Sequence, residues 1–287
     1  MYTPEELKNI LLLFKSGSQE NIELALQLAK NSNADLPSLH FEELFDYLVA
    51  IKVFPPQRDI SLAEKIYQIL GTESLSITID DPQYAVIPAS IFFFKNLKKL
   101  SIGAKVKVWI PHTISYFEEL EELEIYLLNQ KNIPLSIFEI SSLVKLDLSL
   151  NLFKELPRDI WKLRNLVELN LMNCIHLEAI PNELFGLPKL EKVYLVQTRI
   201  DQISPSIAYS KIKEYTIEFD TAGKKLLADP KIGKKLLKNI SKETKWGCDF
   251  MEAMKLRTFS QWKINNIPDE IKKQGLESIK QFFREKR

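Results

Sequence analysis

Ile133-Pro134-Leu135-Ser136-Ile137-Phe138-Glu139-Ile140-Ser141-Ser142-Leu143-Val144-Lys145-Leu146-Asp147-Leu148-Ser149-Leu150-Asn151 carries most of one period of a repeat. Its opening phrase, apolar-Pro-x-x-apolar, also stands at Ile87-Pro88-x-x-Ile91, Ile110-Pro111-x-x-Ile114, Leu156-Pro157-x-x-Ile160 and Ile180-Pro181-x-x-Leu184, with a weaker copy at Ile203-Ser204-x-x-Ile207. Successive copies are 23, 23, 23, 24 and 23 residues apart. A fixed period of that length marks a solenoid, in which each repeat buries its apolar face against its neighbours rather than in one globular core.

The second half of the stretch changes spacing. Leu146-x-Leu148 places two apolar side chains on one face of a strand, and the same phrase occurs at Leu75, Leu100, Leu123, Leu169, Val193 and Tyr215. Seven parallel strands, one per turn, are predicted. Between the Pro phrase and the strand, Ile137-x-x-Ile140-x-x-Leu143 and Ile160-x-x-Leu163-x-x-Leu166 are spaced by three, which suits a short helix or 3₁₀ turn.

The fuller phrase Leu143-x-x-Leu146-x-Leu148-x-x-Asn151, with its relatives ending at Cys174 and Thr198, resembles the leucine-rich repeat family, whose units carry L-x-x-L-x-L-x-x-N/C. The resemblance covers about 150 of the 287 residues. It implies an α/β solenoid with a curved parallel sheet on the concave side and helical or 3₁₀ turns on the convex side. The 23-residue unit is similar to the intracellular Ras-associated and Scribble-like type. The residues before each Ile-Pro, namely Val86, Trp109, Asn132, Glu155 and Ala179, are not the glycine of extracellular plant-type repeats. Lys105 and Leu128 stand where the turn-bonding residue is expected in two early repeats, so those turns are read as irregular, with Asn129 one place late.

Residues 1–71 read as a helical N-terminal cap, 72–220 as the repeats and 221–287 as a basic helical C-terminal cap. Thr3-Pro4-Glu5-Glu6 starts a first helix, Ser18 a second, Ser38 a third with Phe41, Leu44, Phe45 and Leu48 inward, and Ser61-x-x-Glu64 a fourth that ends near Gly71. Beyond residue 220 a ten-residue echo, Gly223-Lys224-Lys225-Leu226-Leu227 and Gly233-Lys234-Lys235-Leu236-Leu237, precedes Ile267-Pro268-Asp269-Glu270-Ile271 and a helical face of Ile279, Phe282 and Phe283. This ending resembles the segment that follows the repeats in bacterial Roco-type proteins, where a GTPase domain comes next; the resemblance implies a linker-and-cap role.

The formal net charge of +1 is uneven: 221–287 holds 17 basic against 8 acidic residues. Two cysteines exclude a disulfide framework, no signal peptide or membrane-length apolar run is read, and the expected address is the cytoplasm. Catalytic, metal and cofactor residues are expected to be none. His40, His112 and His176 share no ligand spacing, and no two glycines are spaced for a phosphate loop. Cys174 has a structural reason at the turn position, Cys248 reads as a buried cap residue near Lys245 and Trp246, and about 67 C-terminal residues leave little room for a ligase-type catalytic domain. Nucleic-acid or phosphate binding by the lysine-rich tail is disfavoured, because only Arg257, Arg284 and Arg287 offer bidentate contacts there.

Strand alternation identifies the side chains opposite the leucine core. One column, Lys99, Glu122, Lys145, Glu168, Lys192 and Glu214, alternates in sign and reads as lateral pairing that favours stacking register. The neighbouring columns give a candidate partner-binding face of Glu124, Tyr126, Leu127, Asp147, Leu150, Asn170, Met172, Tyr194, Val196 and Phe219: aromatic and apolar anchors in a polar rim. Phe92, Phe138, Trp161 and Phe185, after the Pro phrase, read as core. The expected function is a non-catalytic protein-interaction module; the alternative is an accessory regulator of a separate nucleotide-dependent, Roco-like signalling enzyme.

Overall fold

Each Pro phrase is a turn of 3₁₀ helix with the same internal bond. The proline carbonyl accepts the N–H three residues along, from Ile91, Ile114, Ile137, Ile160 and Leu184 at 3.1–3.2 Å, and Ser204 accepts likewise from Ile207 at 3.1 Å. Proline suits the position because its fixed φ directs the chain into the turn and its missing N–H has no partner to lose. In the sixth copy the Ser204 hydroxyl accepts the N–H of Ser206 instead. The turns span Ala89–Phe93, His112–Tyr116, Leu135–Glu139, Arg158–Lys162, Asn182–Gly186 and Pro205–Tyr209. These observations come from a computed structural model, which describes residues 13, 16, 18–30, 38–56, 60–127, 131–216, 266–268, 270–271, 274 and 276–286.

The strands β1 (Ser74–Ile79), β2 (Lys99–Ala104), β3 (Glu122–Leu127), β4 (Lys145–Asp147), β5 (Glu168–Asn170), β6 (Lys192–Tyr194) and β7 (Glu214–Thr216) lie in the sheet in chain order. Their pairing is parallel and in repeat register, with Leu146 beside Leu169, Leu169 beside Val193 and Val193 beside Tyr215. The fold is therefore an α/β leucine-rich repeat solenoid. By residue contacts the chain divides into two compact units, Met1–Glu124 with Pro134–Leu143, and Ile125–Ile133 with Val144–Arg287.

The first unit contains three described helices, α1 (Gln19–Lys30), α2 (Ser38–Ala50) and α3 (Leu62–Gly71). Ser61 caps α3 with a reciprocal capping box to Glu64, as Ser-x-x-Glu predicts. The inward residues are those the helical spacing selects: Ile22 and Ala25 on α1, and Phe41, Leu44, Phe45 and Leu48 on α2. Phe41 stacks on Phe93 of the first 3₁₀ turn at 4.0 Å between ring centroids, which joins the helical block to the first repeat. The Tyr47 hydroxyl donates to the Tyr84 carbonyl at 3.0 Å, and burial pushes its ionisation well above the ordinary tyrosine range. The expected helix at Thr3 lies outside the described residues.

In the second unit the last described helix, α4 (Leu276–Glu285), seats on the turn Pro205–Tyr209. Phe283 and Ile279 are buried, and Lys280, only 5% exposed, donates its ammonium to the Ile212 carbonyl at 2.6 Å. Arg284 donates to the Ala208 carbonyl at 3.1 Å, while Asn266 both accepts from the Ile203 N–H and donates to its carbonyl. These donors satisfy carbonyls at and after the last described 3₁₀ turn. The echo at Gly223 and Gly233 lies outside the described residues, as does Cys248.

Leaving β4, β5 and β6, the chain passes through one residue in the left-handed region: Leu150 at φ 63°, Asn173 at 60° and Gln197 at 62°. The next side chain turns inward. Asn151 is buried and its amide donates to the carbonyls of Ile125, Leu148 and Ser149 at 2.7, 2.8 and 3.2 Å. Cys174 and Thr198 are buried at the same position. In the first unit the same stage differs, as Lys105 at that position foretells: β2 runs on to Ala104, and the Lys105 N–H donates to the Ile79 carbonyl. Leu128 and Asn129 lie outside the described residues.

Of the aromatic column expected in the core, Phe138 and Phe185 are buried and Phe92 is half-buried, but Trp161 is 48% exposed and is corrected to a surface residue. The Arg164 guanidinium lies 5.8 Å from the Trp161 ring, one 3₁₀-type turn further on. Two stability changes of opposite sign follow from the strand-exit turn. Asn151→Ala should lower unfolding free energy by about 2–3 kcal/mol, because the Ile125 carbonyl loses its side-chain donor. Leu150→Asn should raise it by about 0.5–1 kcal/mol, because asparagine tolerates the left-handed region and leucine does not. Urea denaturation of both variants measures the two effects.

Candidate functional site

The face opposite the leucine core is built differently in the two units. In the first, the Lys99 ammonium on β2 lies 3.0 Å from Glu124 and 3.3 Å from Glu122 on β3. The hydrogen bond that Lys99 donates to Glu124 is the largest influence holding Lys99 above the ordinary lysine range, against the opposing cost of partial burial. Glu124, expected as a polar rim residue, is thus held by the ladder of alternating charge.

In the second unit that ladder is present in the register itself: Lys145 pairs with Glu168, Glu168 with Lys192 and Lys192 with Glu214. Lys192 and Glu168 approach to 3.6 Å with both side chains partly exposed, so the pair contributes at most about 1 kcal/mol. Its effect is to favour one stacking register, since a slipped strand would lose its opposite-charge neighbours.

The next row runs through Asp147, Asn170 and Tyr194, which are direct neighbours in register. Asp147 accepts the Ser149 N–H at 2.8 Å with one oxygen and the Asn170 side-chain amide at 2.8 Å with the other. Asn170 in turn accepts the Met172 N–H at 3.0 Å. Each of these side chains therefore fastens the backbone as it leaves its own strand, and the first is tied to the second across the sheet. Sequence reading placed Asp147 and Asn170 on the correct face but missed this task; the available signal was an Asp or Asn two residues before a turn, the Asx-turn pattern.

Tyr126, Leu150, Met172 and Tyr194 are half-buried, retaining solvent-facing surface in this unit. Val196 is corrected: it is 2% exposed and belongs to the interior. β5 and β6 are both three residues long, so alternation does not set the direction two places on, and the two repeats differ: Met172 is half-buried and Val196 is buried. Ser149, at the equivalent position of its repeat, is also buried. Leu127 closes β3, and Phe219 lies outside the described residues.

The residues considered for chemistry are dispersed. His112 is exposed, with Nε2 3.5 Å from a Glu139 carboxylate oxygen, and Cys174 is buried beneath the sheet, its Sγ donating to the Leu148 carbonyl at 3.1 Å. Among the described residues no group of three or more His, Cys, Asp and Glu side chains is arranged to hold a metal, and no helix is long and apolar enough to cross a membrane.

No protein-family model and no curated protein matches the chain. Among solved structures the chain is similar to a leucine-rich repeat protein of Leptospira interrogans, at 22% identity and a TM-score of 0.45, over 64% of this chain and 46% of that one. It is similar to an internalin of Listeria monocytogenes at 14% identity and TM-score 0.41, over 65% and 60%. A third is the Arabidopsis receptor kinase HAESA, solved with the peptide hormone IDA and the co-receptor SERK1, at 26% identity and TM-score 0.41, over 50% and 29%. The chain thus spans less than two thirds of the length of each.

Burial pushes the Cys174 thiol up to about 12, with the Asp147 charge adding to the rise and a backbone hydrogen bond from Asn151 opposing it. The thiol stays protonated in the folded protein while an unfolded chain ionises near pH 9, so unfolding releases a proton between those values. Stability should therefore fall as pH rises from about 9 toward 12, more steeply than in Cys174→Ala, when both are measured by urea denaturation in a Cys248→Ser background.

Proposed function

We propose that this protein is a non-catalytic interaction module that binds a protein partner on the open face of its sheet, through Tyr126, Met172 and Tyr194 with Leu150 beside them. The single observation that carries this reading is the partial exposure of three large side chains on that face. Asp147 and Asn170 are engaged in fastening the strands, whereas the aromatic and thioether side chains retain solvent-facing surface. Tyrosine contributes large contact area at modest ordering cost and methionine adapts its shape to a partner, and interfaces concentrate their energy in such anchors. The parallel rungs hold them on a framework that has little freedom to lose on binding.

We also propose the 23-residue intracellular type of repeat and a cytoplasmic address. The support is the non-glycine residue before each Ile-Pro and the buried, unpaired thiol of Cys174.

The test has two stages. The full chain used as bait, followed by mass spectrometry, supplies a candidate partner. The Tyr126→Ser/Met172→Ser/Tyr194→Ser variant is then titrated against that purified partner. Loss of affinity by about tenfold or more, with an unchanged melting temperature, is the expected result. Unchanged affinity in the folded variant overturns the proposed face.

A further inference from the structure

The 3₁₀ turns end on a large side chain in five of six cases: Phe93, Tyr116, Glu139, Lys162 and Tyr209. The exception is Gly186. Glycine is not required there by the backbone, whose φ lies outside the left-handed region, nor by crowding, since an added Cβ would meet nothing within 4 Å. What the glycine does is leave space. That space is part of a cleft of about 670 Å³ in the second unit, lined by Asn182, Phe185, Gly186, Pro205, Ser206, Tyr209, Phe283 and Lys286.

The cleft is a built site. Phe185 and Phe283 are buried and supply a fixed aromatic floor, while Tyr209 stands beside them 58% exposed. The wall contributed by α4 is held in place by the bonds from Lys280 to Ile212 and from Arg284 to Ala208. Asn182 and Ser204 are joined across adjacent turns at 2.6 Å. The volume falls within the usual range for ligand pockets, about 300–1,000 Å³. The cleft is open on one side, which suits a side chain whose backbone passes along the surface.

Its charge is one-sided. Among the described residues Lys286 is the one charged residue lining it, with its ammonium 4.5 Å from the Phe282 ring centroid. The nearest carboxylates in sequence are directed elsewhere: Glu183 toward Arg158 at 3.9 Å, and Glu285 to the Gln281 amide at 2.6 Å. In sequence, residues 221–287 carry 17 basic against 8 acidic groups, an excess that favours anionic partners. We propose that this cleft is a second binding site, separate from the sheet face, which takes an acidic peptide segment of a partner protein by inserting one aromatic or large aliphatic side chain over Gly186.

The test uses the full chain and fluorescence anisotropy of a fluorescein-labelled peptide, acetyl-Asp-Glu-Phe-Asp-Glu-amide. Controls replace its Phe by Ala, or its acidic residues by Lys. The acidic Phe peptide should saturate below about 1 mM, and both controls should bind at least about tenfold more weakly. Gly186→Phe should fill the cleft without disturbing its neighbours and weaken binding about tenfold or more, at an unchanged melting temperature. Lys286→Glu, on the exposed end of α4, should weaken it at least about threefold and decides the matter if the first variant fails to fold. The Tyr126→Ser/Met172→Ser/Tyr194→Ser variant should bind the peptide normally, which separates this site from the sheet face. Absence of saturation, equal binding of either control, or binding indifferent to both cleft variants overturns the proposal.

Discussion

The strand-exit turn is the constraint on which the second unit depends. A parallel strand buried along one edge must reverse direction within a few residues, and the peptide groups of that reversal are shielded from water. Asn151 resolves this with an amide directed at three carbonyls. The Leu148 carbonyl also receives the Cys174 thiol from the following repeat, so one acceptor joins two rungs. The backbone cost appears one residue earlier, where Leu150, Asn173 and Gln197 take up left-handed conformations. Buried amide bonds contribute more than one such residue costs, since an unsatisfied buried carbonyl forfeits about 1–3 kcal/mol.

Once the exits are fixed, the residues on the open face acquire separate tasks. Asp147 and Asn170 complete the backbone of their own turns, and the lysine–glutamate column selects the register. Neither set adds much stability at an exposed surface, but both remove alternatives, because a slipped strand loses the Asn170–Asp147 bond across the sheet and its opposite-charge neighbours. Tyr126, Met172 and Tyr194 are half-buried, and their bulk is the surface that this framework presents.

The described helices solve the same problem at their own ends of the chain. Phe41 closes on Phe93 near the first repeat by stacking. Near the last repeat the solution is polar: Lys280, Arg284 and Asn266 supply donors and acceptors to backbone groups at Ile203, Ala208 and Ile212. Burying the Lys280 ammonium is tolerated because it is bonded to a carbonyl and lies 3.3 Å from Glu277. A helix fastened in this way makes a stable wall, and the absent side chain at Gly186 leaves room beside it.

The period by itself determined the solenoid, the seven strands, the 3₁₀ turns, the leucine core and the alternating ladder, because each depends on spacing that stacking repeats must keep. The α3 capping box and the buried place of Cys174 were legible for the same local reason. What only the tertiary structure decided lies where spacing stops governing direction. Val196 is buried although Met172, at the equivalent position after an equally short strand, is not, and Trp161 is exposed although Phe138 and Phe185 at the same position are buried. Asp147 and Asn170 proved to be bonded rather than spare, since hydrogen-bond partners across the sheet depend on distances that a one-dimensional pattern does not contain. The cleft over Gly186 needed α4 in place, and a helix some 90 residues along the chain becomes its neighbour only through packing.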